Sequence, residues 1–143
     1  MAQVAPPSTP YGAPITLAQA KKAISAAEAE ATKNGWGVAI VVVDSGANLV
    51  MMQRLDNTQL SSARIAEAKA RTAAEFRRPT KVFEEAIAGG GVGMRVLSFG
   101  EVACAEGGVP IVVDGRIIGA IGVSGVQSHQ DGQTAQAGAD AVT

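Results

Sequence analysis

The sequence predicts an α+β domain: an antiparallel sheet made from two β-hairpins and covered by helices. Three observations carry this. Two pairs of apolar stretches, Gly37–Val43 with Asn48–Arg54 and Val109–Val113 with Arg116–Val123, are each joined by a short turn, Asp44-Ser45-Gly46 and Asp114-Gly115. An Asp-Gly pair suits a type I′ hairpin turn, because both residues accept positive φ. Helical periodicity flanks the hairpins over Leu17–Lys33, Ser62–Arg77, Thr80–Ala88 and Ser128 to about Val142. Finally, Val38–Val43 is apolar without alternation, the pattern of a strand covered on both faces.

Each element has local signals. Thr16 and Gln19 form a capping box before the first helix, and Asn34-Gly35 ends it. Leu17, Ala20, Ile24, Ala27 and Ala31 recur at helical spacing, and the small alanines suit close packing on a sheet. Pro79 stops the second helix. There, Ile65, Ala73 and Phe76 share an arc of roughly 80°, and Lys69 falls inside it. Such a lysine either lays its methylenes along the helix with its ammonium in water, or lines a pocket and meets an anionic ligand. Thr80 caps the third helix, with Glu84 and Glu85 in its early turns. The glycine run Gly89–Gly93 lacks a following Gly-Lys-Ser/Thr and a preceding strand, so it reads as a connection or lid rather than a phosphate loop. Met94–Leu97 and Val102–Cys104 supply a fifth strand or a turn. Ser128 and Asp131 have capping-box spacing, which predicts Asp131 as a cap of the last helix. Gly107-Gly108 and Gly125 flank the second hairpin and let another backbone or a ligand approach closely.

Composition narrows the classes. At 143 residues the chain predicts one domain over residues 15–143, preceded by an extended, proline-rich arm over residues 1–14. The arm reads either as a mature terminus beginning near Ala2-Gln3 after signal removal, or as a cytoplasmic N-terminus, and the compartment stays open between these. A net charge of −1 without a Lys/Arg cluster argues against nucleic acid and anionic lipid as partners. The longest apolar run, Val38–Val43, is far too short to span a membrane. The single cysteine, Cys104, excludes an intrachain disulfide, and the single histidine, His129, argues against a multi-histidine metal site.

The order of motifs resembles the GlcG/HbpS-like family of haem-binding and haem-degrading proteins, which includes the C-terminal domain of PduO-type proteins. The resemblance rests on VVVDSGANLVMMQRLD (Val41–Asp56), AEAKARTAAEFRRPT (Ala66–Thr80), GGVPIVVDGRIIGAIGVSG (Gly107–Gly125) and the trailing Gln130-Asp131. It covers about Leu17 to Gly138. It implies a profilin-like α/β/α sandwich, with an antiparallel sheet of about five strands and helices on both faces. It also implies a homo-oligomer, from dimer to octamer. Carried over by position, it marks Arg54, Asp56, Lys69, Gly107, Gly108 and Asp131, which would converge on one site with Gly125.

Two functions follow as expectations. In the first, the chain binds haem or another tetrapyrrole, with Arg54 and Lys69 pairing the propionates. The available iron ligands are His129, Tyr11, Cys104, Met51, Met52 and Met94; no Cys-x-x-Cys-His is present, so covalent attachment is excluded. In the second, the chain is a small lyase, hydratase or isomerase-type enzyme acting on a carboxylate-bearing metabolite. Lys69 would then be the acid or base, Arg54 the carboxylate clamp, and Glu106 or Asp131 the partner base.

Overall fold

A computed structural model describes residues 8–143; the reading of Ala2-Gln3 as a mature terminus lies outside the described residues. In chain order the elements are α1 (Leu17–Asn34), β1 (Ala39–Asp44), β2 (Leu49–Arg54), α2 (Ser62–Phe76), α3 (Lys81–Gly89), a 3-10 helix over Gly91–Ser98, β3 (Gly108–Val113), β4 (Arg116–Ser124) and α4 (Ser128–Asp140). The sheet is antiparallel with order β2-β1-β4-β3, so the two hairpins join through β1 and β4. Both bonds of the Thr16–Gln19 capping box form, and Asp114 and Gly115 both take positive φ, as their sequence signals predict.

The continuous apolar run in β1 is explained by two separate cores. Val38, Ile40 and Val42 face α1 and α4, together with Ile121 and Val123 of β4. Ala39, Val41 and Val43 face the other way, onto Ala66, Ala70 and Ala73 of α2. α2 lies very close to the sheet, because a Cβ on Gly122 would stand 2.1 Å from the Ala66 carbonyl oxygen. Helices therefore cover both faces, giving the α/β/α sandwich.

Three local expectations are corrected. The sheet has four strands among the described residues, not about five: Met94–Leu97 lies in the 3-10 helix and Val102–Cys104 is irregular. Thr80 makes no side-chain cap to α3; its hydroxyl instead accepts the Gly108 N–H at 2.8 Å and fastens the start of β3. The cap of α4 is Gln127 with Gln130 at its third position, which leaves the Asp131 carboxylate to work elsewhere.

Ahead of α1, Pro10 and Gly12 hydrogen-bond with Ile117 beyond the end of β1, at 2.9 and 2.8 Å. The Tyr11 hydroxyl donates to the Ala74 carbonyl at 2.7 Å, and the Arg77 guanidinium sits 5.6 Å from the Tyr11 ring centre.

Candidate functional site

Lys69 neither reaches water nor turns toward an open pocket. It sits on the sheet-facing side of α2 and is 2% exposed. Its side chain passes the end of the sheet where β3 begins. Val123 of β4 donates its N–H to Gly107 O, and its carbonyl, past that last ladder bond, accepts from Lys69 Nζ at 3.0 Å. The same ammonium then meets Asp131 Oδ2 at 3.0 Å. Asp131 belongs to α4, in the layer on the opposite face, and its Oδ1 accepts the Val126 N–H at 3.1 Å. One buried ion pair thus joins the two helical layers through the sheet and holds the turn into α4.

The glycines make room for this path. Gly107 has φ +137°, and a Cβ there would lie 2.6 Å from Val123 O and 2.7 Å from Lys69 Nζ. A Cβ on Gly108 would lie 2.3 Å from the Lys69 carbonyl oxygen. A side chain at either place would displace α2 or the ammonium.

Above this floor lies a cavity of about 300 Å³. Glu106, Gly107, Gly108 and Val109 form one wall, and His129, Gly132, Gln133 and Gln136 another, with Pro79 and Lys81 at the α3 end. The α4 wall is a single helical stripe, since positions 129, 132, 133 and 136 follow the i, i+3, i+4, i+7 rule. The Glu106 carboxylate packs against Gly132, where an added Cβ would come within 2.3 Å of Oε2. Its backbone N–H donates to Glu84 Oε1 at 3.1 Å. Burial pushes the Asp131 carboxyl above its ordinary pKa, and the Glu106 charge adds to that; Lys69 and the Val126 N–H pull the other way. The site therefore combines an exposed imidazole, an exposed ammonium on Lys81 and a cavity carboxylate over a buried ion pair.

Of the residues singled out in sequence, Lys69, Asp131, Glu106, Gly107, Gly108 and His129 come together around the cavity, though Lys69 and Asp131 lie beneath its lining. Arg54 and Asp56 are exposed at the end of β2, an edge strand separated from β4 by β1, and do not line it. Gly125 packs on Gly37, whose carbonyl oxygen would be 2.3 Å from an added Cβ. Lys81, Gln133 and Gln136 were not anticipated. The helical spacing of the two glutamines from His129 is the signal that points to them.

Among the iron ligands expected from the sequence, the Tyr11 hydroxyl is engaged by Ala74 and Met51 packs on the larger core. Met52 and Met94 are exposed on β2 and the 3-10 helix. Cys104 is half-buried beside a different cavity, and burial raises its thiol pKa. His129 is exposed on the rim of the 300 Å³ cavity.

Comparison with known proteins agrees with this architecture. The chain is 45% identical over 110 residues to protein GlcG of Escherichia coli K12, covering 77% of this chain and 81% of that one. The crystal structure of a Streptomyces reticuli HbpS double mutant superposes with a TM-score of 0.82 at 31% identity, covering 90% of this chain and 87% of that one. A PduOC:heme complex superposes with a TM-score of 0.81 at 25% identity, covering 91% and 96%. The family described as haem-degrading protein, HbpS-like, matches residues 15–140. The chain belongs to the HbpS-like family.

Proposed function

We propose that the chain is a small-ligand-binding protein whose ligand, a haem or related tetrapyrrole, seats at the cavity above Gly107-Gly108. The observation that carries this is the exposed His129 imidazole on the rim of a cavity whose floor is fixed by the Lys69–Asp131 pair. The donor set fits haem: imidazole is a common axial ligand, and the Lys81 ammonium suits a propionate. Pro79 and Val109 offer apolar contact to the macrocycle edge. The volume fits an edge rather than a whole porphyrin, since about 300 Å³ is at the small end of ligand pockets. Bound haem, held by the His129 imidazole, would supply a redox-active iron centre. The PduOC:heme complex and the family description support the ligand class.

The remainder of the macrocycle would rest against a second subunit. The chain would thus act as a homo-oligomer, between dimer and octamer. Val92 and Leu97 of the 3-10 helix and Phe99 just after it, 80%, 59% and 52% exposed, support self-association. No helix among the described residues is long and apolar enough to cross a membrane.

The test is titration with hemin. Wild type develops a shifted Soret band that saturates near one equivalent per chain. His129→Ala loses the shift, and Lys81→Ala weakens binding. Absence of any shift in wild type at stoichiometric hemin rules out the tetrapyrrole.

A second reading, a small enzyme acting on a carboxylate-bearing metabolite, draws on one observation: Glu106 lines the cavity directly above the buried pair. Lys69, held beneath the lining by Val123 and Asp131, would act on the charge of the floor rather than on the substrate itself. Glu106 would be the base. A carboxylate metabolite that co-purifies with Glu106→Gln, and is consumed by wild type, supports this function; consumption by both proteins equally excludes the role of Glu106.

A further inference from the structure

A second cavity, of about 670 Å³, opens between α2 and residues 100–105, and shares no lining residue with the first. We propose that it is a separate binding site for an amphipathic organic acid, with a ring-sized apolar body and one carboxylate. Its volume is in the middle of the range for small-molecule pockets. Ile65 and Ala68 from α2 face Val102 and Ala103 across it, which supplies an apolar slot. The far wall is preformed: the Ala103 N–H donates to the buried Thr72 hydroxyl at 3.0 Å, so residues 100–105 are fastened to α2 before any ligand arrives.

The charges select the ligand head group. Arg71 is already paired with Glu67 at 2.7 Å, one helical turn away. Arg64, on the same helix and also in the lining, makes no ion pair among the described residues. Its guanidinium offers a two-pronged donor to a carboxylate at the mouth of the slot. Glu101, exposed on the facing segment, disfavours a second negative charge. One carboxylate on an apolar body is the chemistry these groups recognise.

Cys104 makes the proposal directly testable. It is the only cysteine in the chain and lies in this lining, so occupancy of the slot must shield it. The experiment follows iodoacetamide alkylation of Cys104 in the full chain, with and without 2-naphthoate, and measures naphthoate binding by its fluorescence. Saturating 2-naphthoate is expected to slow alkylation at least fivefold. Arg64→Ala, a change at an exposed position, should weaken naphthoate binding about tenfold while leaving the neutral analogue 2-naphthalenemethanol unchanged. Ala68→Trp, which fills the slot, should abolish binding of both. Naphthoate binding that leaves Cys104 unprotected overturns the proposal, as does an Arg64→Ala variant that binds the acid and the alcohol as wild type does. A Cys104 that is unreactive without probe and becomes reactive on dilution assigns the slot to a subunit contact, which also overturns it.

Discussion

Lys69 and Asp131 sit 62 positions apart in sequence, on helices that cover opposite faces of the sheet, yet their side chains meet at 3.0 Å with both 3% exposed. The contact is possible because β3 starts late. Beyond Gly107 the carbonyl of Val123 has no strand partner, and the lysine takes that place on its way through.

Removing one member of such a pair leaves the other buried without its counter-charge, which costs about 3–5 kcal/mol. At neutral pH Lys69→Met should lose stability on that scale, lowering Tm by roughly 10–17 °C, whereas Asp131→Asn should lose less, because burial already favours the uncharged form of this carboxyl. The double variant should lose clearly less than the sum of the two. Urea denaturation of the four proteins measures the coupling, and strict additivity would show that the pair is not energetically joined.

The pH response has a defined sign. The folded carboxyl of Asp131 titrates above the ordinary value near 3.9, so between those two points the folded chain holds a proton that the unfolded chain has released. The contribution of this group to stability is therefore present in full at low pH and is lost as pH rises through its folded pKa. Relative to Asp131→Asn, wild type should gain stability as pH falls from 7 toward 4. In Lys69→Met the lowering pull of the ammonium is gone, so the gain should be larger and begin at higher pH. Denaturation midpoints across that range, compared with Asp131→Asn at each pH, show whether the slope has this sign.

The close approach at the floor predicts a cost for the smallest side chains. Gly107→Ala adds a Cβ at a left-handed φ and within 2.7 Å of both Val123 O and Lys69 Nζ. It should destabilise by about 2–3 kcal/mol, since a strained backbone and overpacking each cost on the order of 1–3 kcal/mol. The same substitution at Gly89, where an added Cβ meets nothing within 4 Å, should be nearly neutral. Thermal melts of the two variants provide the comparison.

What could be read from the sequence was what depends on near neighbours. The Thr16–Gln19 box, the Asp114-Gly115 turn and the two-sided run in β1 are local signals, and the structure follows each. Asp131 reads as a cap because three residues after Ser128 it has the spacing of a capping-box residue; the bond to Lys69 depends on the path of the lysine past the end of the sheet. Lys69 itself stood out on the helical wheel, but its destination depends on where β3 begins. Arg54 stood out by motif alone, and its edge-strand position carries it away from the cavity within one chain. The 3-10 segment was ambiguous because most of its apolar residues, Val92, Met94 and Leu97, stay exposed while Val96 is buried, so no helical or strand-like apolar face marks it.

Ferric hemin can also locate its own site, through paramagnetic broadening of amide signals in the 15N-labelled protein. With substoichiometric hemin, the signals of residues 106–109 and 129–136 should broaden first, and those of β2 should persist. Broadening centred on Arg54–Asp56 or on residues 100–105, with the His129 region unaffected, would contradict a ligand site over Gly107-Gly108.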